Sequence, residues 1–511
     1  PGATLESSLG AFGVDVSTNT VWAAINHNSQ FSVGLVAVPE PSTLVLAGLG
    51  LAGIAGGWRH RRRRTLVASL GLGLVAASVP EVVSAQTGIE VTGGTAATIP
   101  GTYASGTYPS VLVSGTSSTL TVNEPLVIQG TFDNTAVLTI ESNGRLTVNA
   151  DVTVTNEEEF GVSFTDATVG SGGVLDLQAG TLSVGGSLQL SGATAFQRTA
   201  GSYRVRALDL SDGAAVTFRA GDQLINSGVF TVATSISIDT GASLTLEQNL
   251  AADIVSLTGA GSTLSRTAQT LTVDELTISD GANLNLIAGD VVDGISVGNY
   301  DPSQTGSSTV NLAPGATGLS GSFLGLVSNG SIPQLATIPY AVDYLTLGGQ
   351  SLTYRSGNGI EDTIRNSVDV RDNATFTLEK DLTLTGENGG LALASGGAIN
   401  RSGFSISASS LSLYGGTSFT LDATATVTDS VSVNVFDAAE TATLTLAENL
   451  VLTGETVPFG RGLSLSGAGA TLVRGEEITI TATAADTELR VANSADFTVR
   501  AGDTFTGARL V

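Results

Sequence analysis

The sequence from about Gln86 onward predicts an all-β fold, a parallel β-helix or β-solenoid. Its apolar residues are mostly Leu, Val, Ile and Ala, and they alternate with Thr and Ser, which favours strands over helices. The recurrent unit is apolar-x-apolar flanked by Gly, Ala, Asn or Asp, as in Leu175-Asp-Leu177 and Leu244-Thr-Leu246. Alternation places the apolar side chains of such a strand on one face. Strands this short bury a core only when coils stack on one another.

A longer period supports stacked coils. Arg198 and Arg266 are 68 residues apart, as are Asp222 and Asp290, and the surrounding sequence recurs with them. Looser copies contain Arg401 and Arg474. If one period holds three coils, a coil has about 22 to 23 residues and the body roughly 18 or 19 coils. The style resembles autotransporter-associated β-strand repeats and related bacterial surface β-helices.

The repeat divides the body into three parts. We expect solenoid repeats at 86–290 and, truncated, at 366–511. The match is loose between them, so we expect a degenerate or looped-out copy at 291–365, where four prolines interrupt the pattern: Pro302, Pro314, Pro333 and Pro339.

The N-terminal part contains a motif that is unrelated to the repeats. Val38, Pro39, Glu40 and Pro41 precede an uncharged apolar stretch, Leu44 to Gly57. A basic stop follows, formed by Arg59, Arg61, Arg62, Arg63 and Arg64. Residues 38–64 resemble the PEP-CTERM sorting tail of Gram-negative bacteria, also labelled an ice-binding protein C-terminal domain. The resemblance implies export, membrane tethering and processing by an exosortase-type protease near Pro-Glu-Pro. Residues 1–37 then look like the C-terminal strands of a truncated secreted domain.

A second export pattern follows at once, in residues 65–85. Arg61 to Arg64 serve as its basic region and Leu66 to Val79 as its apolar region. Val83-Ser84-Ala85 forms a small-residue cleavage site, with the cut between Ala85 and Gln86. One or two short apolar membrane or signal helices therefore precede the predicted β-helix. The apolar stretches are short against the roughly 20 residues of a spanning helix.

The order of these signals leaves two interpretations, since a sorting tail belongs at a C-terminus. In one, residues 1–64 end one exported protein and residues 65–511 begin the next, joined by a lost stop codon or an assembly error. In the other, the joined chain is real and the two apolar segments form a membrane hairpin. We favour the first. The chain contains no Met, and we interpret it as a fragment open at both ends.

Charge narrows the choice of partners. Residues 1–85 carry five arginines and four acids, whereas the remainder carries 42 acids and 16 bases. A field of this sign repels nucleic acid and acidic lipid, so we expect no nucleic-acid partner and only transient membrane contact. The expected partners are the export machinery, the exosortase-type protease and exopolysaccharide.

Residue types also limit the chemistry of the body. The chain has no Cys, and its two histidines, His27 and His60, both precede the body, which excludes a thiolate site, a Ser-His-Asp triad and a His-based zinc site there. Because β-helices also serve polysaccharide lyases and hydrolases, we consider eight charged residues as catalytic candidates: Asp209, Asp212, Asp222, Asp280, Asp290, Arg204, Arg206 and Arg219. Four of the aspartates recur beside Gly at equivalent repeat positions, as Asp212/Asp280 and Asp222/Asp290, which indicates turn residues. We therefore assign no catalytic, cofactor or metal residue.

Three further patterns have a structural and a functional interpretation. Glu157-Glu158-Glu159 indicates a solvated acidic turn, because its spacing does not suit a calcium loop. Thr-x-Thr pairs, which some solenoids use to bind ice, occur without one-coil spacing at Thr153/Thr155, Thr383/Thr385, Thr443/Thr445 and Thr479/Thr481. The recurrent arginines (Arg198, Arg266, Arg401 and Arg474) are expected to form structural salt bridges or to cap carbonyls.

The leading prediction is an exported, non-catalytic structural or adhesive β-solenoid of the cell surface, outer membrane or extracellular matrix of a Gram-negative bacterium. The first alternative is a β-helix that binds or cleaves polysaccharide. It requires one cleft with clustered acids and aromatic sugar platforms. The second alternative is an ice-binding solenoid, which requires threonines in register on one flat sheet.

Overall fold

A computed structural model describes residues 12–15, 20–23, 88–130, 138–156, 165–225, 233–299, 305–314, 319–357, 359–384, 389–437, 439–453, 462–482, 488–505 and 509–510. The chain divides into two compact units, residues 1–86 with 157–162, and residues 87–156 with 163–511. In the first unit, Phe12–Asp15 and Thr20–Ala23 form an antiparallel pair. Both apolar segments predicted as helices lie outside the described residues.

The second unit is an all-β parallel solenoid, which confirms the predicted fold class. Each coil passes through three faces, which we call the first, second and third face in chain order. Inward and outward side chains alternate along the strands, as in Val111–Ser114 and Ser235–Ile238, because Cβ atoms point to opposite sides of successive residues.

The first face is one parallel ladder of nineteen rungs within the described residues. Nine strands lie in this face alone: Ile89–Val91, Val111–Ser114, Leu138–Glu141, Thr165–Val169, Ser235–Ile238, Gly390–Leu393, Gly462–Ser466, Glu488–Ala492 and Arg509–Leu510. Ten longer strands begin in the third face and end in the first: Thr181–Ser191, Ser202–Ser211, Leu250–Thr258, Leu271–Ser279, Val291–Val297, Leu319–Leu326, Tyr340–Gly348, Thr363–Arg371, Ile406–Tyr414 and Ala425–Asn434.

The third face contains the first parts of those longer strands and eight short strands: Gly106–Tyr108, Leu126–Gly130, Val152–Asn156, Gln223–Leu224, Leu382–Thr383, Leu450–Leu452, Ile480–Ala482 and Thr504–Phe505. Several longer strands turn the corner at a register shift. In Thr181–Ser191 the shift falls between Val184 and Ser187, at a Gly-Gly pair.

The second face is divided into five separate sheets within the described residues. The first contains Ala96–Ile99, Thr119–Val122, Arg145–Val148, Val174–Leu177 and Phe196–Arg198. The next two contain Ala215–Phe218, Ser243–Leu246 and Thr263–Ser265, then Asn283–Asn285, Ser308–Asn311 and Gly330–Ser331. The last two contain Ser351–Tyr354, Thr375–Leu378 and Ala398–Asn400, then Ser418–Leu421, Ala442–Leu446 and Ala470–Arg474.

The register explains the 68-residue period. In the first-face ladder, Leu208 pairs with Ile236, Ile236 with Val255, and Val255 with Leu276. Leu208 and Leu276 are 68 residues apart, so one period contains three coils, as the repeat predicts. Four of the five second-face sheets also contain three strands each.

The core is a stack of aliphatic side chains inside the coils. Leu120, Leu146 and Leu175 occupy one column of the second face, and none of them is exposed. Burying a Leu, Val or Ile side chain contributes about 1.5 to 3 kcal/mol, and every coil adds several. Because each coil contacts only its neighbours, this burial stabilises the unit additively along the stack.

Residues 291–365 continue the first-face ladder through Val291–Val297, Leu319–Leu326 and Tyr340–Gly348. They also contain the 3₁₀ helix Pro333–Ala336, with Pro333 at its first turn. Ser356–Gly357 and Ile360–Glu361 form a small antiparallel pair, unlike the parallel strands around them.

Candidate functional site

Arginine–aspartate pairs recur beside the second face. Five pairs in the described part of the chain have their arginine at the end of a second-face strand or directly after it, and we call these the Arg–Asp pairs: Arg198–Asp222, Arg266–Asp290, Arg355–Asp362, Arg401–Asp422 and Arg474–Asp503. A further pair, Arg145–Asp176, joins two strands within the first second-face sheet. The arginine side chains of the first, second and fifth pairs are each 3% exposed. A charge buried this deeply persists only when it is fully paired.

The guanidinium groups of Arg198 and Arg474 meet that requirement. Arg198 donates to both carboxylate oxygens of Asp222 at 2.6 Å and to the carbonyl oxygen of Thr217 at 2.7 Å. Arg474 makes the same set of bonds to Asp503, at 2.6 and 2.7 Å, and to the Thr498 carbonyl at 2.7 Å. The recurrent arginines therefore both form salt bridges and cap carbonyls, as predicted.

The carboxylates bind the backbone on their other side. Asp222 accepts hydrogen bonds from the amides of Tyr203 and Arg219, at 3.0 and 2.7 Å. Asp290 accepts from the amides of Leu271 and Ile287, at 2.8 and 2.7 Å. Each aspartate thus joins two neighbouring coils and closes its own turn.

Four of the Arg–Asp pairs lie where a second-face sheet ends. Arg198 and Arg474 are the last residues of their sheets, and Arg266 and Arg401 directly follow theirs. Their aspartates follow the next strand of the same face or, for Asp503, lie in the next coil. At each of these breaks, a side-chain bridge replaces the missing backbone ladder bonds between two coils.

Aromatic rings cover three of these guanidinium groups. Arg198 lies 5.5 Å from the ring centroid of Tyr203. The corresponding distances are 5.5 Å for Arg401 over Phe419 and 5.7 Å for Arg474 over Phe497. Cation–π contacts of this kind stabilise a desolvated guanidinium by about 1 to 2 kcal/mol. Burial also raises the pKa of Tyr203, so its hydroxyl stays neutral.

Two of the carboxyl groups titrate well below their usual range. The Arg474 guanidinium, hydrogen-bonded to Asp503, lowers the pKa of that carboxyl to about 2, against the effect of burial. Hydrogen bonds from Arg401 and then Thr424 lower the pKa of Asp422 in the same way. Both groups are therefore ionised at neutral pH and serve as fixed charges.

The predicted turn aspartates lie in turns. Asp212 and Asp280 have φ angles of 51° and 52°, in the left-handed region that Asp tolerates better than most residues. They are three coils apart, roughly 14 Å at the usual strand spacing, as are Asp222 and Asp290. Glycosidase carboxyl pairs are about 5 to 9.5 Å apart, so the structure does not bring these aspartates together as such a pair.

The other catalytic candidates are also dispersed. Asp209 lies in the first face, where burial and then the Asp239 carboxylate raise its pKa. Arg219 pairs with Glu247 at 3.4 Å, Arg206 is buried, and Arg204 is exposed. Glu157-Glu158-Glu159 lies outside the described residues. Within the described ranges, no group of three or more His, Cys, Asp or Glu side chains could hold a metal ion.

The four Thr-x-Thr pairs do not share a face. Thr153/Thr155 and Thr481 lie in the third face, Thr443/Thr445 lies in the second, and Thr385 is outside the described residues. The register does align other threonines on the second face, in the columns Thr98–Thr121–Thr147, Thr217–Thr245, Thr353–Thr377 and Thr420–Thr445. The next residues in these columns are Asp176, Ser265, Asn400 and Val473, so the threonine array is not continuous.

Sequence reasoning missed two pairings. The aspartate partners follow their arginines by 24 residues at Arg198 and Arg266 and by 21 at Arg401, close to one coil. Tyr414 and Phe436 are 22 residues apart and their rings lie together. A search for residues of complementary type at one-coil spacing would have found both.

The sorting motif lies outside the described residues. Val38 to Pro41, the basic stop of Arg59 and Arg61 to Arg64, and the cleavage site at Ala85 and Gln86 therefore have no structural account. A comparison with protein families identifies the segment that contains Val38 to Pro41 and the basic stop. Residues 37–63 match the PEP-CTERM protein-sorting motif. This confirms the resemblance at 38–64.

The PEP-CTERM motif is a sorting signal that exosortase recognises, and it indicates export and surface association. No curated protein and no solved structure matches the chain significantly. Among the described residues, no helix is long and apolar enough to cross a membrane.

Proposed function

We propose that this protein is a non-catalytic structural or adhesive β-solenoid, displayed on the cell surface, at the outer membrane or in the extracellular matrix of a Gram-negative bacterium. The first-face ladder carries this proposal: nineteen rungs stack in parallel over one aliphatic core. Such a stack presents an extended surface built from the same three faces in coil after coil. Its acidic charge, net −25 for the chain, favours solubility outside the cell.

The bonding of the charged groups supports a role without turnover. A general acid or base needs a proton that it can exchange with a substrate. In the Arg–Asp pairs, Asp222 and Asp290 accept hydrogen bonds from arginine and from two backbone amides each. Asp212 and Asp280 belong to repeated turns. These are structural tasks, repeated with the coils.

Two signals belong to the proposed route to the surface. Residues 65–85 would direct the solenoid to the export machinery, with transient membrane contact. In the joined chain, an exosortase-type protease would in addition cut near Pro39 to Pro41. Sequencing the gene across codons 60–70 tests whether the motif and the solenoid belong to one protein. An open reading frame in independent reads supports one protein, whereas a stop codon after Arg64 assigns the motif to a neighbouring gene.

Deletion of the gene in the producing bacterium tests the proposed function. We expect the mutant to lose cell-to-cell cohesion in aggregation and matrix-rheology measurements, and the full-length gene to restore it. In parallel, purified full-length protein is incubated with uronic and neutral polysaccharides, and new reducing ends and unsaturated products are measured. Unchanged cohesion in the mutant contradicts the structural role. Products above the enzyme-free blank would show a catalytic protein instead.

A further inference from the structure

Two aromatic rings lie together where the first face turns into the second. The ring centroids of Tyr414 and Phe436 are 6.2 Å apart, and the ring planes differ by 24°. Near-parallel rings at this distance are offset and not fully stacked on one another, so part of a ring face stays open. Phe436 is 85% exposed, the highest value among the exposed large hydrophobic side chains of the described residues.

Phe436 is exposed although the core at this corner is filled. Its neighbour Val435 is 6% exposed and fills the inward position at this corner. The connection from Asn434 to Ala442 is longer than the connection from Tyr414 to Ser418 in the preceding coil. The chain thus adds residues here that present a phenyl ring outward, over the end of the neighbouring strand.

A carboxylate lies against Gly415, the residue that follows Tyr414. Glu440 is in the same connection as Phe436, and its side chain occupies the space over Gly415, where an added Cβ would overlap the Glu440 carboxylate. Glycine at 415 therefore makes room for this carboxylate next to Tyr414. Asp437 is also exposed in this connection. The connection that presents Phe436 thus also contains two exposed carboxylates, of which Asp437 accepts a hydrogen bond from the Ala439 amide at 3.0 Å.

This combination suits a sugar. A pyranose ring has an apolar face of C–H groups, which packs on the electron-rich face of an aromatic ring, and a rim of hydroxyl groups, which donate to carboxylates in strong charge-assisted bonds. The two carboxylates and the net charge of −25 repel uronate or sulfated polymers. We therefore propose that Tyr414, Phe436 and Glu440 form a binding platform for a neutral polysaccharide. This inference rests on the proposed adhesive role and names its ligand class.

Affinity electrophoresis of the full-length protein tests the platform, with hydroxyethylcellulose and laminarin as neutral probes and alginate as the anionic probe. We expect a neutral probe to retard the protein. Phe436→Ala and Tyr414→Ala should each weaken this binding about tenfold, since aromatic side chains dominate such contacts. Tyr344→Ala is the matched control, because Tyr344 is also an exposed first-face aromatic, at 39%, without a recorded ring contact in the described part. Thermal melts should not change, since neither platform ring is in the core.

The outcomes separate this site from the proposed function. If Phe436→Ala is retarded by the neutral probe as strongly as Tyr344→Ala, the platform is overturned. It is also overturned if only alginate retards the protein, or if none of the three probes does. A change of oligomeric state in Phe436→Ala by analytical ultracentrifugation, without polysaccharide binding, assigns the patch to a second copy of the chain and also overturns it. Normal cohesion in the gene deletion contradicts the adhesive role, whatever the gels show.

Discussion

At the scale of single residues, the stability of this solenoid depends on how its few buried charges are satisfied. Arg198 and Asp222 are 3% and 0% exposed, yet every oxygen of the carboxylate has donors. The pair contributes little net energy relative to an apolar pair of the same volume, because desolvation offsets the attraction. Its partners nevertheless depend on each other, since either charge alone would be buried without compensation.

Removing one partner should therefore destabilise the adjacent coils. For Asp222→Asn we expect a loss of about 3 to 5 kcal/mol in local stability, because Arg198 stays charged and buried. Hydrogen–deuterium exchange of peptides that contain Tyr203 and Arg219 measures it, since both amides donate to Asp222. Glu247→Gln is the control. Its bridge to Arg219 spans 3.4 Å between side chains that are 55% and 40% exposed, and should be worth at most about 1 kcal/mol. Equal exchange in both variants contradicts the role of the Arg–Asp pair.

The pH dependence follows from the depressed pKa of Asp503. A carboxyl whose pKa is lower in the folded chain stabilises the fold above its unfolded pKa, near 3.9, and that contribution disappears as the pH falls through about 2. We expect the coils around Arg474 to keep their full exchange protection above about pH 4 and to lose part of it progressively between about pH 4 and pH 2. The measurement is hydrogen exchange corrected for intrinsic rates. Asp503→Asn should remove this pH dependence, and a variant that keeps the same acid transition would refute the assignment.

At the scale of single elements, the corners decide whether a coil closes. Asp280 and its neighbour Gly281 both have positive φ, and together they turn the chain from the first face to the second. This conformation costs a residue with a bulky side chain about 1 to 2 kcal/mol, and glycine almost nothing. The sequence places Asp-Gly at such corners for this conformational reason.

Substitution of Asp280 separates turn chemistry from catalysis. Asp280→Gly should keep the melting temperature and the β-sheet circular dichroism of the protein, whereas Asp280→Val should lower stability by about 1 to 2 kcal/mol. Thermal unfolding followed by circular dichroism measures the difference. If Asp280→Gly were as destabilising as Asp280→Val, the carboxylate and not the backbone conformation would carry the role.

At the scale of the whole solenoid unit, the stack is built from exchangeable three-coil periods. Leu208 and Leu276 occupy equivalent positions in the ladder, three rungs apart. Arg–Asp pairs bridge the breaks after the first, second and fourth second-face sheets. A stack of this kind should tolerate removal of a whole period, because each coil interacts mainly with its neighbours.

Deletion of residues 209–276 tests this. It joins Leu208 to Thr277, restores the turn sequence and should pair Arg198 with Asp290 at the usual spacing of 24 residues. We expect an unchanged β-sheet spectrum and a melting temperature within a few degrees of the parent. Deletion of residues 209–242 is the control, because it joins the first-face residue Leu208 to Ser243, which begins a second-face strand. That variant should aggregate, and equal behaviour of the two deletions would contradict a three-coil unit.

Local periodicity predicted the larger part of this fold. Alternation in segments such as Leu244-Thr-Leu246 gives the strand and its inward face, and the 68-residue spacing of Arg198 and Arg266 gives the period. Both patterns are repeated many times along the chain. The fold can therefore be predicted although each single motif is only a few residues long. The sorting motif at 37–63 is likewise a continuous stretch that can be recognised without a fold.

Only the tertiary structure decided which residues meet across coils. The partner of Arg474 is 29 residues further on, and the partner of Arg401 is 21, because the connections between strands differ in length. The same variation brings Phe436 over Tyr414 and breaks the second face into five sheets. Sequence by itself determined that coils form and what faces inward, since those depend on period two along a strand. The register between coils depends on loop lengths and packing, and it alone created the Arg–Asp pairs and the aromatic platform.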